Sequence, residues 1–221
     1  MEFDDDRKDI AVEKANERWD KIHSNYERNK IKYDDWLELF DRAIKNCKTP
    51  IIDLGCGSGN DTLYLIEKGK NVIPCDYSKN AIENIKRNFP EVERAECFDM
   101  SKGLPFEDNL TDIIIADLSL HYFSEEKTFE ILKEIKRVLK PNGLLFFRVN
   151  SVKDVNHGAG EGKEIEPHFY ETEDGRQKRF FDLNDINRFF SDFEILYINE
   201  ETMGRYDLEK VLWRGAMKVK K

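Results

Sequence analysis

No uninterrupted apolar run among the 221 residues approaches the roughly 20 that a membrane-spanning helix needs. Cationic charge is also in short supply: 36 lysines and arginines stand against 45 acids, a net charge of −9. A long-range field of that sign repels nucleic acid and anionic membrane, so neither is expected as a partner. Cysteine and histidine number four each. Cys47, Cys56, Cys75 and Cys97 form no CxxC pair and have no histidine at ligand spacing. That argues against a metal site and for reduced thiols. The opening MEFDDDRKDI is acidic where a secretory leader is basic and then apolar. Internal repeats and low-complexity tracts are missing too. Together these absences predict a cytoplasmic protein with no membrane attachment.

What is present suffices for one core: 39% hydrophobic residues over a length typical of a single, decorated domain. In residues 1–48, the spacings Trp19, Ile22, Tyr26 and Trp36, Phe40, Ile44 each fit one helical face. They predict a helical N-terminal cap, with His23 on its surface. From Thr49 the pattern alternates. TPIIDL, NVIPCD, VERAECFD, TDIIIADLSL and GLLFFRVN read as strands. Helical stretches separate most of them, with Ser78 and Ser124 as N-caps. Such alternation predicts an α/β, doubly wound, mostly parallel sheet with helices on both faces. Near the end, FEILYINEE and KVLWRGAMKVK are joined by a short connection and are expected to pair antiparallel.

Ligands of such sheets bind at the carboxyl ends of the strands. There the chain reads Asp53-Leu54-Gly55-Cys56-Gly57-Ser58-Gly59. Glycines let the backbone turn sharply and let a ligand approach closely. The dinucleotide fingerprint is GxGxxG, but the third glycine here comes one position early. Acids flank the turn at Asp53 and Asp61, where a pyrophosphate would be repelled and a cation would not. Asp76 ends the second strand and can accept from both ribose hydroxyls. Asp99, ending the third, can accept from an adenine amine, with the next backbone N–H donating to the ring. The ligand so described has a ribose, an adenine and a positive middle, which S-adenosylmethionine satisfies.

The runs DLGCGSG, CDYS, CFDM, DLSLHYF and LKPNGLLFFRV, in that order, resemble the class I S-adenosylmethionine-dependent methyltransferases over about residues 49–150. That resemblance implies a seven-stranded sheet of order 3-2-1-4-5-7-6 with the last strand antiparallel. The methyltransferase domain is then expected over 49–221, and 151–181 reads from the sequence as an insertion between the fifth strand and the last helix, lid-like over the substrate or else a flap or dimer contact. The resemblance further implies that the backbone of Gly55, Cys56, Gly57 and Gly59 passes the methionine part, and that Asp53 orients this loop or the amino group. Asp76 would hold the ribose and Tyr77 the adenine face, with Asp99 and Met100 at the adenine edge. Asp117 would lie near the methionine ammonium. His121 falls where the family places residues beside the transferred methyl, as a substrate contact or general base.

The remaining candidate substrate contacts are Tyr122, Arg148, His157, His168 and Tyr170. Arg148 can meet an acidic substrate or pair with Asp117 or Glu166. HGAGEG (157–162) reads as a flexible loop. Asp174-Gly175 reads as a two-residue hairpin turn, setting Glu173 opposite Arg176, Glu171 opposite Lys178 and Phe169 opposite Phe180. The acidic surface and the lack of an NPPY-type motif, where DLSL stands, favour methyl transfer to a small molecule. The acceptor atom is left open. So are two other readings: a non-catalytic cofactor-binding or partner-binding protein, and a nicotinamide-dependent oxidoreductase.

Overall fold

The computed structural model describes residues 17–22 and 30–220. Its strands are β1 (Ile51–Leu54), β2 (Val72–Asp76), β3 (Glu96–Cys97), β4 (Thr111–Asp117), β5 (Leu139–Asn150), β6 (Lys163–Glu166), β7 (Phe169–Glu171), β8 (Gln177–Arg179), β9 (Phe193–Met203) and β10 (Lys210–Val219). Seven of them form one sheet in the order β3-β2-β1-β4-β5-β10-β9. The pairs from β3 to β5 are parallel, and β10 runs antiparallel to both neighbours. Counted within this sheet, that is the 3-2-1-4-5-7-6 order with a reversed last strand.

The helices are α1 (17–22), α2 (Asp41–Asn46), α3 (Asn60–Glu67), α4 (Lys79–Asn88), α5 (Glu125–Val138) and α6 (Leu183–Phe189). β1 and β4 are apolar along nearly their whole length because both faces are covered. Trp36, Leu37, Ile44 and Leu65 lie against one face, and Ile131, Ile135 and Phe189 against the other. Ser78 Oγ accepts from the Ala81 amide at 3.1 Å and starts α4. Ser124 does the same for α5, whose first turn carries Glu125 and Glu126 at its positive end. No helix among the described residues is long and apolar enough to cross a membrane. His23 and Tyr26 lie outside the described residues.

Two expectations need correction. The third strand is a two-residue edge rather than the longer run VERAECFD; its alternate acids leave little for a helix to cover. The hairpin is shifted by one residue: Phe169 pairs with Arg179, Tyr170 with Lys178 and Glu171 with Gln177. The reason is a longer turn. Gly175 takes φ +77 and its amide bonds the Thr172 carbonyl, making a three-residue loop with a left-handed glycine at its end. β6 adds a third strand beside β7.

The small sheet is fastened to the main body. Arg179, fully buried, donates to the carbonyls of Phe123 and Pro167, and pairs with Glu166. Glu166 in turn accepts from the Glu125 amide at the start of α5, at 2.7 Å. Asp154, also fully buried, binds Lys210 Nζ at 2.6 Å and the Val211 amide at 3.0 Å.

Candidate functional site

The turn after β1 folds as the glycines demand. Gly55, Gly57 and Gly59 all have positive φ. A Cβ on Gly55 would stand 2.4 Å from Ser119 Cβ, at the carboxyl end of β4, so only glycine fits. Gly59 caps α3, and a Cβ there would meet Ile85 and Phe89 at 2.7 Å. Its absence lets α3 and α4 close together.

Carboxylates surround this turn, each fixed by a different contact. Asp53 is buried and accepts from Thr62 Oγ1 at 2.6 Å. Burial, with Asp117 and Asp76 nearby, pushes its pKa up to about 7 despite that hydrogen bond. Asp76 accepts from the Gly57 amide through Oδ2 and the Ser78 amide through Oδ1, both at 2.8 Å. A carboxylate has about four lone-pair sites, so one such group can accept from backbone amides and from a diol together. Asp99 uses Oδ1 for the amide and hydroxyl of Ser101, while Oδ2 has only Lys102, at 3.9 Å. These donors and acceptors fit a nucleoside with a cationic substituent. Tyr77 and Met100 are half-buried on the same strand ends, and Cys56 is buried within the turn.

Asp117 departs from expectation. It receives Arg148 Nε at 2.6 Å and Nη2 at 2.8 Å, and Arg205 at 3.2 Å. Burial would raise its pKa, but these guanidiniums overcome that and hold it below the ordinary value. It is therefore bracketed by protein cations rather than offered to a ligand ammonium. Arg148 is itself buried, bonds Asp34 Oδ2 at 2.7 Å and lies over the Trp36 ring at 4.6 Å. It ties the N-terminal segment to the sheet and is not free to meet an acidic substrate. Asp61 also faces this segment, accepting from Trp36 Nε1 at 2.9 Å, and burial raises its pKa strongly.

Past β4, a short 3-10 turn (Leu120–Tyr122) carries His121 and Tyr122. His121 is buried, and its Nδ1 has no hydrogen-bond partner among the described residues. Burial, helped by Lys210 and Lys178, holds its pKa well below the usual value, so the imidazole is neutral. Tyr122 lies against His121 and meets Trp19 of α1 edge-on at 5.3 Å. Asp20 of α1 accepts from Ser78 Oγ at 2.5 Å and from the Asn80 amide, beside Asp76.

The insertion brings β8 against this turn. Lys178 is half-buried and forms no hydrogen bond or ion pair among the described residues. Tyr170, its cross-strand partner, shares its side of the small sheet. The other candidates fall elsewhere. His168 has φ +59 and bonds Asp185 at 2.7 Å, bracing the capping box of α6. His168, Asp182 and Asp185 offer ligand atoms within 4.8 Å of one another, all engaged in this capping arrangement. His157 Nε2 lies 3.2 Å from the Leu208 carbonyl, joining the insertion to the β9–β10 connection.

Sequence reasoning overlooked Asn150, the last residue of β5. It is 1% exposed, and neither its Oδ1 nor its Nδ2 has a partner among the described residues. No motif marks it; only the structure reveals its orphaned amide.

Residues 52–147 match the methyltransferase domain family. The tRNA N(3)-methylcytidine methyltransferase Mettl2 of Drosophila melanogaster is 33% identical over 184 residues, which span 74% of this chain and 56% of that protein. Human tRNA N(3)-cytidine methyltransferase METTL6 is 26% identical over 199 residues, 81% of this chain and 69% of that protein. The chain thus spans little more than half the length of the fly relative. A solved S-adenosylmethionine-dependent methyltransferase from Clostridium acetobutylicum superposes with a TM-score of 0.65 at 18% identity, over 95% of this chain and 99% of that one. Relatives that bear tRNA in their names overturn the expectation of a small-molecule acceptor and no nucleic acid. The physical error lay in reading a whole-chain charge as a local one. Lys178, Lys210 and Arg205 gather near the site despite the net −9, with Lys210 paired to Asp154 and Arg205 to Asp117 while Lys178 has no ion-pair partner among the described residues.

Proposed function

The chain belongs to the S-adenosylmethionine-dependent methyltransferase family, and from that premise we propose that it methylates a ring nitrogen of a pyrimidine base in RNA, of the N3-cytidine type. One observation carries the reading. The domain family matches only residues 52–147, whereas the likeness to the fly tRNA enzyme spans 74% of the chain. The likeness therefore extends beyond residues 52–147, the part matched by the domain family. The unpaired Lys178 ammonium adds support, since phosphate contacts by lysine and arginine dominate RNA affinity.

In this reading Asp76 holds the cofactor ribose, Asp99 and the Met100 backbone its adenine edge, and the Gly55–Gly59 backbone its amino-acid part. Bound there, S-adenosylmethionine supplies an electrophilic methyl on a sulfonium. The protein's own contribution is mostly alignment. An unmethylated cytosine N3 has a free lone pair and no proton to lose, so no general base is required at that atom. His121, neutral and unpartnered, is then suited to accept a hydrogen bond from the exocyclic amine beside it. Tyr122 and Trp19 close one side against water. The lid-like insertion serves as the acceptor-side wall, with Lys178 and Tyr170 on its inner strands.

The test is methyl transfer from labelled cofactor to unmodified tRNA transcripts, followed by nucleoside mass spectrometry. N3-methylcytidine in the digest is the expected product. Absence of label in RNA, at protein concentrations that bind S-adenosylhomocysteine, overturns the reading.

A further inference from the structure

We propose that Asn150 is an acceptor-recognition residue, whose carboxamide hydrogen-bonds the methyl-accepting heterocycle across from His121. The inference rests on the nucleobase acceptor put forward above, and it assigns a role to a residue that no motif marks.

The amide is conspicuous because its own backbone is satisfied while its side chain is not. The Asn150 carbonyl accepts from the Phe181 amide at 2.8 Å, and its backbone pairs with Leu212 in the β5–β10 ladder. Only the side chain is left over, 1% exposed with both polar atoms unpartnered. Native proteins rarely leave a buried donor and acceptor together unmet, and a bound ligand is one way such a group is satisfied.

Its position points toward the acceptor side. Residues paired across an antiparallel ladder share a face, and so do residues two apart along a strand. Leu212 faces Asn150, and Lys210 lies two residues beyond Leu212. Lys210 is also close enough for its charge to act on His121. The turn bearing His121 packs against both β5 and β8. Two orphaned polar groups, the Asn150 amide and His121 Nδ1, thus sit at the adjoining carboxyl ends of β4 and β5.

The chemistry matches a pyrimidine with N3 turned toward a methyl donor. Cytosine then has two groups left to be held, one on each side of N3: an amine that donates and a carbonyl that accepts. One side chain cannot serve both, because they lie on opposite sides of the reacting nitrogen. A neutral imidazole with a lone pair suits the amine. A carboxamide N–H suits the carbonyl, and its oxygen remains for a neighbouring donor of the same nucleotide.

The experiment uses full-length protein saturated with S-adenosylhomocysteine, and cytidine 5′-monophosphate as the probe, titrated by calorimetry. Asn150→Leu keeps the shape and removes both polar atoms; Asn150→Asp keeps an acceptor and removes the donor. For both variants, cytidine monophosphate affinity should fall at least about tenfold with S-adenosylhomocysteine affinity unchanged. The leucine variant should melt no lower than wild type, because it removes an unmet buried amide. Equal nucleotide affinity in wild type and variants overturns the inference, and so does no nucleotide binding by wild type. A lowered melting temperature with loss of S-adenosylhomocysteine binding, in both variants, assigns the amide a structural role and overturns it too. If tRNA is not methylated but Asn150-dependent nucleotide binding persists, the RNA reading fails and this one stands.

Discussion

Replacing Asp76 with alanine separates the cofactor site from the scaffold around it. The carboxylate has two backbone tasks, accepting from Gly57 and Ser78 at 2.8 Å each. In the function proposed above it also accepts from the ribose hydroxyls. A hydrogen bond to a charged acceptor is worth about 1.5–3 kcal/mol. Losing the ribose contacts should therefore weaken S-adenosylhomocysteine by about 10- to 150-fold, at about 1.4 kcal/mol per factor of ten. The backbone tasks cost less. Asp76 is only half-buried, so water can replace it at the two amides, and about 1 kcal/mol of stability or less should be lost. Ser78→Ala supplies the control, removing the α4 cap and the bond to Asp20 of α1, for about 1–2 kcal/mol, without touching the ribose acceptor. Calorimetric titration and urea unfolding on both variants give the two numbers. Affinity for the Asp76→Ala protein within about threefold of wild type, a gap well under the value of one such bond, would refute the ribose assignment. Equal affinity losses in both variants would trace the effect to the helix cap.

Other perturbations test the surrounding network. Asp53 has a folded pKa raised to about 7, above its unfolded value, so its contribution to stability is greatest in acid. It should be lost as pH rises from about 4 to about 7, by at most about 4 kcal/mol. Melting curves of wild type and Asp53→Asn across that window should converge at low pH; parallel curves throughout would contradict the shift. Arg148→Met leaves Asp117 and Asp34 without their shared guanidinium, and should cost about 3–5 kcal/mol in urea unfolding. Gly55→Ala must fit a Cβ 2.4 Å from Ser119 Cβ at positive φ, and should cost about 1–3 kcal/mol along with cofactor affinity. Lys178→Gln should weaken tRNA binding, lower the salt dependence by about one phosphate contact, and leave S-adenosylhomocysteine binding intact. A filter-binding series over salt concentration reads that slope.

The fold was legible because its signals are local. A strand covered on both faces must be apolar throughout, and TDIIIADLSL says so without reference to any partner. The glycine turn was legible for the same reason, since positive φ at Gly55 and Gly59 is a property of residue type. Contacts between distant segments were not. Arg148 finds Asp34 across 114 positions, and nothing in FFRVN announces that pairing. The hairpin register failed by one residue because Asp-Gly suits both a two-residue turn and the end of a longer one. The Lys178 ammonium escaped notice because a net charge averages over the whole surface, whereas any charged ligand meets only the charges within a Debye length. Asn150 escaped because an unmet amide can be recognised only once its neighbours are known.

The bracing of the small sheet through Arg179, Glu166 and the first turn of α5 bears on how an acceptor is received. A wall anchored by a fully buried arginine does not swing with each encounter. Its loss of conformational freedom occurs when the chain folds, so binding of an acceptor need not order it again. On the proposed function, selectivity on that flank is accordingly a matter of standing shape, and release of the product would not wait for a flap to lift.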